Sequence, residues 1–191
     1  MKKYIAPNDA YRIRKALGKR NIVFTGMMGC GKSAIGKRLA ANIDIPFHDA
    51  DQAIEQAANM TIPDIFETFG EKHFRDGERR VIQRLMGEGP AILSTGGGAF
   101  MNDETRSLIK QDGISIWLRA DFDVLMERVQ RKNNRPLLKT ANPEETMRNL
   151  LKEREPFYEL ADITVESRDE SHEAVVMTVV DGLLEYLEGP N

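Results

Sequence analysis

One short segment constrains this chain more than any other: Gly26-Met27-Met28-Gly29-Cys30-Gly31-Lys32-Ser33, spaced as G-x-x-x-x-G-K-[ST]. It follows Ile22-Val23-Phe24-Thr25, a β-branched and aromatic run that reads as a buried strand. Ser33 to Asn42 comes next, with Ile35 and Leu39 four apart as on one helix face. In a strand, glycine turn and helix of this kind, backbone N–H groups can turn inward around a polyphosphate; side chains at the glycine positions would block that approach. Lys32 supplies a cation for the β- and γ-phosphates, the Ser33 hydroxyl can ligate Mg²⁺, and the helix adds the positive end of its dipole. The predicted nucleotide contacts are Gly29, Cys30, Gly31, Lys32, Ser33 and Ala34. Cys30 has two readings: a small side chain filling a crowded turn, or a thiol made reactive by the helix N-terminus.

The rest of the chain alternates in the same way. Further strands are predicted at Ile45–His48, Ala91–Ser94, Ile114–Leu118 and Ile163–Val165, each bounded by turn residues or by helical spacing. The intervening helices run over Thr61–Gly87, broken near Gly70, then Asp103–Gln111 and Phe122–Gln130 after Asp121. The last two begin at Pro143 behind an Asn142 cap and after a Ser171 cap. This alternation predicts a three-layer α/β/α sandwich with a five-stranded parallel sheet, of the P-loop NTPase kind, with ligands at the carboxyl ends of the strands. Residues 1–20 carry seven Lys or Arg against one acid. They read as a basic extension, helical through Ala10, Ile13 and Leu17 and mainly solvated, ahead of a single domain at 21–191. The polar stretch around Arg131-Lys132-Asn133-Asn134-Arg135 predicts a mobile lid near 130–141.

Composition narrows the partners. The 27 basic and 30 acidic residues leave a net charge of −3, which gives no reason to bind nucleic acid or anionic lipid. An anionic substrate must therefore be held by a local cluster of Arg and Lys. The single cysteine excludes an internal disulfide. No apolar run is long enough for a membrane span, and the N-terminus has no secretory apolar region. The expectation is a cytoplasmic monomer.

Four further motifs turn a general nucleotide site into a specific one. The second strand ends in Asp49-Ala50-Asp51; Asp51 also fits a cap for a helix beginning at Gln52, but a cap accounts for one acid and not both. Next comes Gly70-Glu71-Lys72-His73-Phe74-Arg75-Asp76-Gly77-Glu78, in which Arg75 alone would pass for a surface helix residue. Gly96-Gly97-Gly98 follows the third strand, more glycine than a turn requires. Arg135-Pro136-Leu137-Leu138 and Arg154 in Lys152–Tyr158 complete the set. Together these resemble the shikimate kinases, from about Asn21 to Leu187.

The resemblance implies ATP with Mg²⁺ as cofactors and shikimate as acceptor. Asp51 would contact the substrate hydroxyls, and Asp49 would lie near the metal through water, beside Ser33. Arg75 and Arg154 would bind the ring carboxylate, with Gly96, Gly97 and Gly98 lining the pocket. Lys32, Asp51 and Arg135 would be the catalytic set, with Arg135 reaching the phosphates. Arg128 and Arg168 would approach adenine. Two departures stand out: the N-terminal extension and Lys-Asn-Asn in the lid. Two rival readings are a kinase for another acceptor, such as gluconate or a nucleoside monophosphate, and a nucleotide-binding module without turnover.

Overall fold

The computed structural model describes residues 4–130, 138, 140–168 and 170–189. Five parallel strands, β1 (Asn21–Thr25), β2 (Phe47–Asp49), β3 (Ile92–Ser94), β4 (Gly113–Arg119) and β5 (Ile163–Glu166), lie in the order β2-β3-β1-β4-β5. Pairing registers Ile22 with both Ile92 and Ile114, so β1 sits at the centre. Every residue of β1 is buried, as expected of a parallel sheet covered on both faces. Its side chains alternate: Ile22 and Phe24 enter one apolar cluster, Val23 the other.

On the first face pack α1 (Pro7–Leu17), α2 (Lys32–Ile43) and α8 (His172–Glu188). The second face carries α4 (Ile62–Gly87) and α5 (Asp103–Asp112), together with Tyr158 from the end of α7 (Pro143–Tyr158). The short α3 (Ala50–Ala58) leans on α4 through a separate cluster of Ile54, Ile65 and Phe74. Finally, α6 (Phe122–Gln130) follows β4 and packs Leu125, Met126 and Val129 into the first-face core. Asn142 and Ser171 accept the expected capping bonds from Glu145 and Ala174 N–H. Gly70 leaves helical geometry at φ 78°, ψ 171°, which places the break in α4 where its sequence put it.

Three expectations change. The N-terminal helix forms, but it is not a solvated appendage. Ala10, Ile13 and Leu17 are all buried in the first-face core, and Tyr4 and Ile5 N–H both donate to Asn42 Oδ1 on α2. The basic residues that dominate its composition occupy the outer face, so charge count hid a narrow apolar stripe. The second strand starts at Phe47, two residues late, where Pro46 offers only its carbonyl, to Ile92 N–H. The helix cap there is Asp49, not Asp51: its carboxylate accepts from Asp51 and Gln52 N–H, and the helix starts at Ala50.

Because all strands run one way, β1, β2, β3 and β5 deliver Gly26, Asp49, Thr95 and Ser167 to one edge of the sheet. The strand order reverses beside β1, the place where open α/β sheets form their crevice.

Candidate active site

The phosphate loop leaves β1 through backbone that only glycine adopts easily. Gly26, Gly29 and Gly31 have φ of 127°, 87° and 102°. A Cβ at Gly26 would also stand 2.6 Å from the Leu118 carbonyl oxygen. Lys32 Nζ is drawn across the loop and donates to the Gly26 and Met27 carbonyls at 2.8 and 3.0 Å. Cys30 is fully buried, with Sγ 3.7 Å from that ammonium, which favours the small packing side chain over an accessible thiol. On α2, Ser33 Oγ donates to Asp49 Oδ2 at 2.7 Å and lies 3.0 Å from Ser94 Oγ. Three oxygen-bearing side chains from α2, β2 and β3 thus meet beside the loop.

A cleft of about 390 Å³ opens from this point, of the size that takes a small organic ligand. Met28, Ser33, Asp49, Asp51, Arg75 and Arg154 face it from different elements, and Gly96, Gly97 and Gly98 form part of its wall. None of these three glycines has positive φ, so chain conformation does not demand them. Space does. A Cβ at Gly96 would come within 2.5 Å of Glu78 Oε1 and 3.1 Å of Asp51 Oδ1. One at Gly97 would lie 3.4 Å from Arg154 Nη1 and 3.5 Å from both the Gly26 carbonyl and Met28 N. Gly97 therefore touches the phosphate loop on one side and an arginine of the cleft on the other.

Two guanidinium groups face the cleft in different states. Arg75 is bound on one flank, donating to Glu78 Oε2 at 2.7 Å and to Glu71 Oε1 at 3.1 Å. Arg154 is 5 % exposed, and its Nε and Nη1 have no hydrogen-bond partner among the described residues. Buried cationic N–H groups are costly when left without an acceptor, which makes Arg154 a candidate for binding an anion. Tyr158, one helical turn along α7, donates its hydroxyl to the Gly97 carbonyl, and burial pushes its phenol well above the usual range.

The remaining predicted residues divide. Arg128 and Arg168 are brought together behind the phosphate loop: Arg128 Nη1 donates to Ser167 Oγ at 3.1 Å and Nη2 to the Arg168 carbonyl at 3.0 Å. Arg135, with most of the expected lid, lies outside the described residues.

Four residues in the site went unassigned in the sequence. Glu78 stood inside the Arg75 segment, and its i,i+3 spacing from Arg75 was the available signal. Ser94 ends the buried β3 and Ser167 directly follows β5, positions where a lone serine carries no periodicity. Tyr158 was part of the Arg154 motif but had no separate role.

Comparison with known proteins agrees with this geometry. The family model described as "Shikimate kinase" matches residues 28–184. A shikimate kinase of Bradyrhizobium diazoefficiens is 57 % identical over 177 residues, 93 % of this chain and 86 % of its own; one from Rhodopseudomonas palustris is 54 % identical over 182, covering 95 % and 89 %. Among solved structures, a shikimate kinase of Acinetobacter baumannii in complex with shikimate superposes with a TM-score of 0.86 at 36 % identity, covering 91 % of this chain and 97 % of that one. A gluconokinase of Sinorhizobium meliloti, at 18 % identity and a TM-score of 0.60, covers 89 % of this chain and 94 % of its own and shares the fold. With the sheet order, the phosphate loop and these matches in agreement, the chain belongs to the shikimate kinase family.

Proposed function

We propose that the cleft holds shikimate against the phosphate loop and passes the γ-phosphate of ATP to its 3-hydroxyl. The observation that carries this is the buried Nε and Nη1 of Arg154, without partners among the described residues, facing the same space as Arg75 and bounded by a glycine that also touches the loop. Two guanidinium forks gripping one carboxylate fix the ring's orientation as well as its charge, which lets an acidic protein bind an acid. Asp51 accepts a hydrogen bond from the attacking hydroxyl. In a loose phosphoryl-transfer transition state the nucleophile needs little activation, so this positioning outweighs base strength. Lys32 leaves its loop carbonyls for the phosphates and, with Arg135, offsets charge on the transferred group.

Ser33 and Asp49 are the residues that would hold Mg²⁺. Their oxygens stand 2.7 Å apart, and hard oxygen donors in small number suit a cation that keeps waters and phosphate oxygens as its other ligands. Bound there, the ion would neutralise phosphate charge. Arg128 and Arg168 flank the adenine. Residues 21–191 carry the kinase motifs, with a lid near 130–141, and α1 packs onto their core; the protein works as a cytoplasmic monomer without nucleic-acid or membrane partners. No helix among the described residues is long and apolar enough to cross a membrane.

The test is ADP release in a coupled assay with shikimate, gluconate, a nucleoside monophosphate or no acceptor. Turnover is expected with shikimate alone. Comparable rates with gluconate would overturn the acceptor assignment, and tight ATP binding without turnover on any acceptor would overturn the kinase reading.

A further inference from the structure

Ser167 is the first residue past β5, 3 % exposed, at the back of the phosphate loop. Its hydroxyl donates to the Cys30 carbonyl at 2.9 Å and accepts from Arg128 Nη1 at 3.1 Å. A hydroxyl has one proton and two lone pairs; here the proton goes to the loop and a lone pair to the guanidinium. The cation polarises the O–H toward the carbonyl, so the two bonds strengthen each other. Its own N–H is tied to the Arg119 carbonyl, which fixes the serine to the end of β4.

The carbonyl that Ser167 holds has a direct consequence for the loop. The Cys30–Gly31 peptide is trans and planar, so its C=O and N–H point in opposite directions. Holding the Cys30 oxygen against Ser167 aims the Gly31 N–H away from that serine. That amide has no protein acceptor among the described residues. The next residue, Lys32, opens α2. One buried hydroxyl thus sets the direction of an amide in the anion cradle and also holds the guanidinium on α6.

We propose that Ser167 is a positioning residue of the nucleotide site, a clamp that holds the Gly31 amide and Arg128 in a common register for a nucleoside polyphosphate. It touches neither substrate; it acts through the two groups it holds. The inference rests on the reading of Gly26–Ser33 and Arg128 as the nucleotide site.

The experiment is calorimetric titration of ADP and, separately, of shikimate into Ser167→Ala, Ser167→Cys and Ser167→Thr, with the KM for ATP measured in parallel. Ser167→Ala and Ser167→Cys should each weaken ADP about tenfold and raise the KM for ATP by a similar factor, the loss expected for a hydrogen bond of about 1.4 kcal/mol. Shikimate affinity should stay within about twofold, and Ser167→Thr, which keeps the hydroxyl, should restore most of the nucleotide affinity. The cysteine variant nearly preserves volume with a weak donor, so it reports on the hydrogen bonds even if alanine fails to fold. ADP affinity unchanged in Ser167→Cys, or shikimate affinity lost in equal measure, overturns the proposal. Lys32→Ala separates the two levels. If it abolishes nucleotide binding while the Ser167 variants do not, the clamp alone is wrong; if it too leaves nucleotide binding intact, the nucleotide-site reading falls as well.

Discussion

A Cβ placed on Gly98 would stand 2.5 Å from Arg75 Nη2 and 2.6 Å from its Cζ. The obstructed group is the far end of a flexible side chain, which can swing aside at little cost to the fold. It cannot do so and still present its fork to the cleft. Gly98→Ala should therefore leave the melting temperature within a few degrees of wild type while raising the KM for shikimate by about tenfold or more, since one displaced charge-assisted hydrogen bond is worth about 1.5–3 kcal/mol. At Gly97 the same methyl would meet Arg154 Nη1 at 3.4 Å, an ordinary contact, and the KM should rise less. Steady-state kinetics beside thermal melts check the pair; an equal effect at both positions would mean that space for Arg75 is not what Gly98 provides.

Glu78 offers a pH test of the same wall. Its carboxylate is almost fully buried. Burial pushes its pKa up, against the pull of Arg75, and the charge of Asp51 adds to the rise. An acid whose folded pKa stands above its unfolded value binds its proton more tightly in the folded chain. That contribution is complete below the unfolded value of about 4.3 and is lost as pH rises through the folded one. Glu78→Gln cannot titrate. Its melting temperature relative to wild type should climb as pH rises above about 4.3, and a difference that is flat or falling there would contradict the shift. The KM for shikimate should rise in the variant, because Gln cannot form the ion pair that holds Arg75 Nη1 at 2.7 Å.

What was legible in the sequence follows from how local each signal is. The phosphate loop could be read directly because backbone conformation and ligand chemistry act on consecutive residues. The break at Gly70 and the caps at Asn142 and Ser171 are equally local. Glu78 and Ser167 could not be assigned in this way. Glu78 takes its place in the cleft wall from the fold, which sets Oε1 against Gly96, although its Arg75 partner is local; Ser167 takes both partners, Cys30 and Arg128, from distant segments. Asp49 and Asp51 were identified as a pair, but the cap went to the wrong one, since either acid satisfies the sequence pattern and only the strand's last residue decides. The N-terminal helix shows the converse error, in which Ile13 and Leu17 carried the information and the surrounding charges outweighed them.

That helix makes a stability prediction. Ile13 is fully buried against a core shared by α2 and α8. Ile13→Ala should cost about 2–5 kcal/mol, lowering the melting temperature by roughly 4–20 °C for a chain of this size. The KM values for ATP and shikimate should be unchanged below the transition, because α1 contributes nothing to the cleft lining. Loss of less than about 0.5 kcal/mol, the range of surface substitutions, would return the helix to the status of an appendage.

Arg154 separates charge from shape. Its Nε and Nη1 are buried donors without partners among the described residues, on a planar group whose paired N–H donors match the two oxygens of a carboxylate. Lysine would keep the charge but present a point cation on a stem that reaches the cleft differently. Arg154→Lys should therefore behave like Arg154→Ala, each raising the KM for shikimate roughly 10- to 100-fold, as expected for losing charge-assisted bonds worth about 1.5–3 kcal/mol. ADP affinity should hold within about twofold, since the group is bound to the acceptor side of the cleft. Esterifying the acceptor's carboxylate gives the matching control. Methyl shikimate should be a poor substrate for wild type, with a KM that barely changes on going to Arg154→Ala. If the lysine variant retained wild-type KM, one positive charge would suffice and the paired-donor geometry would have no bearing on recognition.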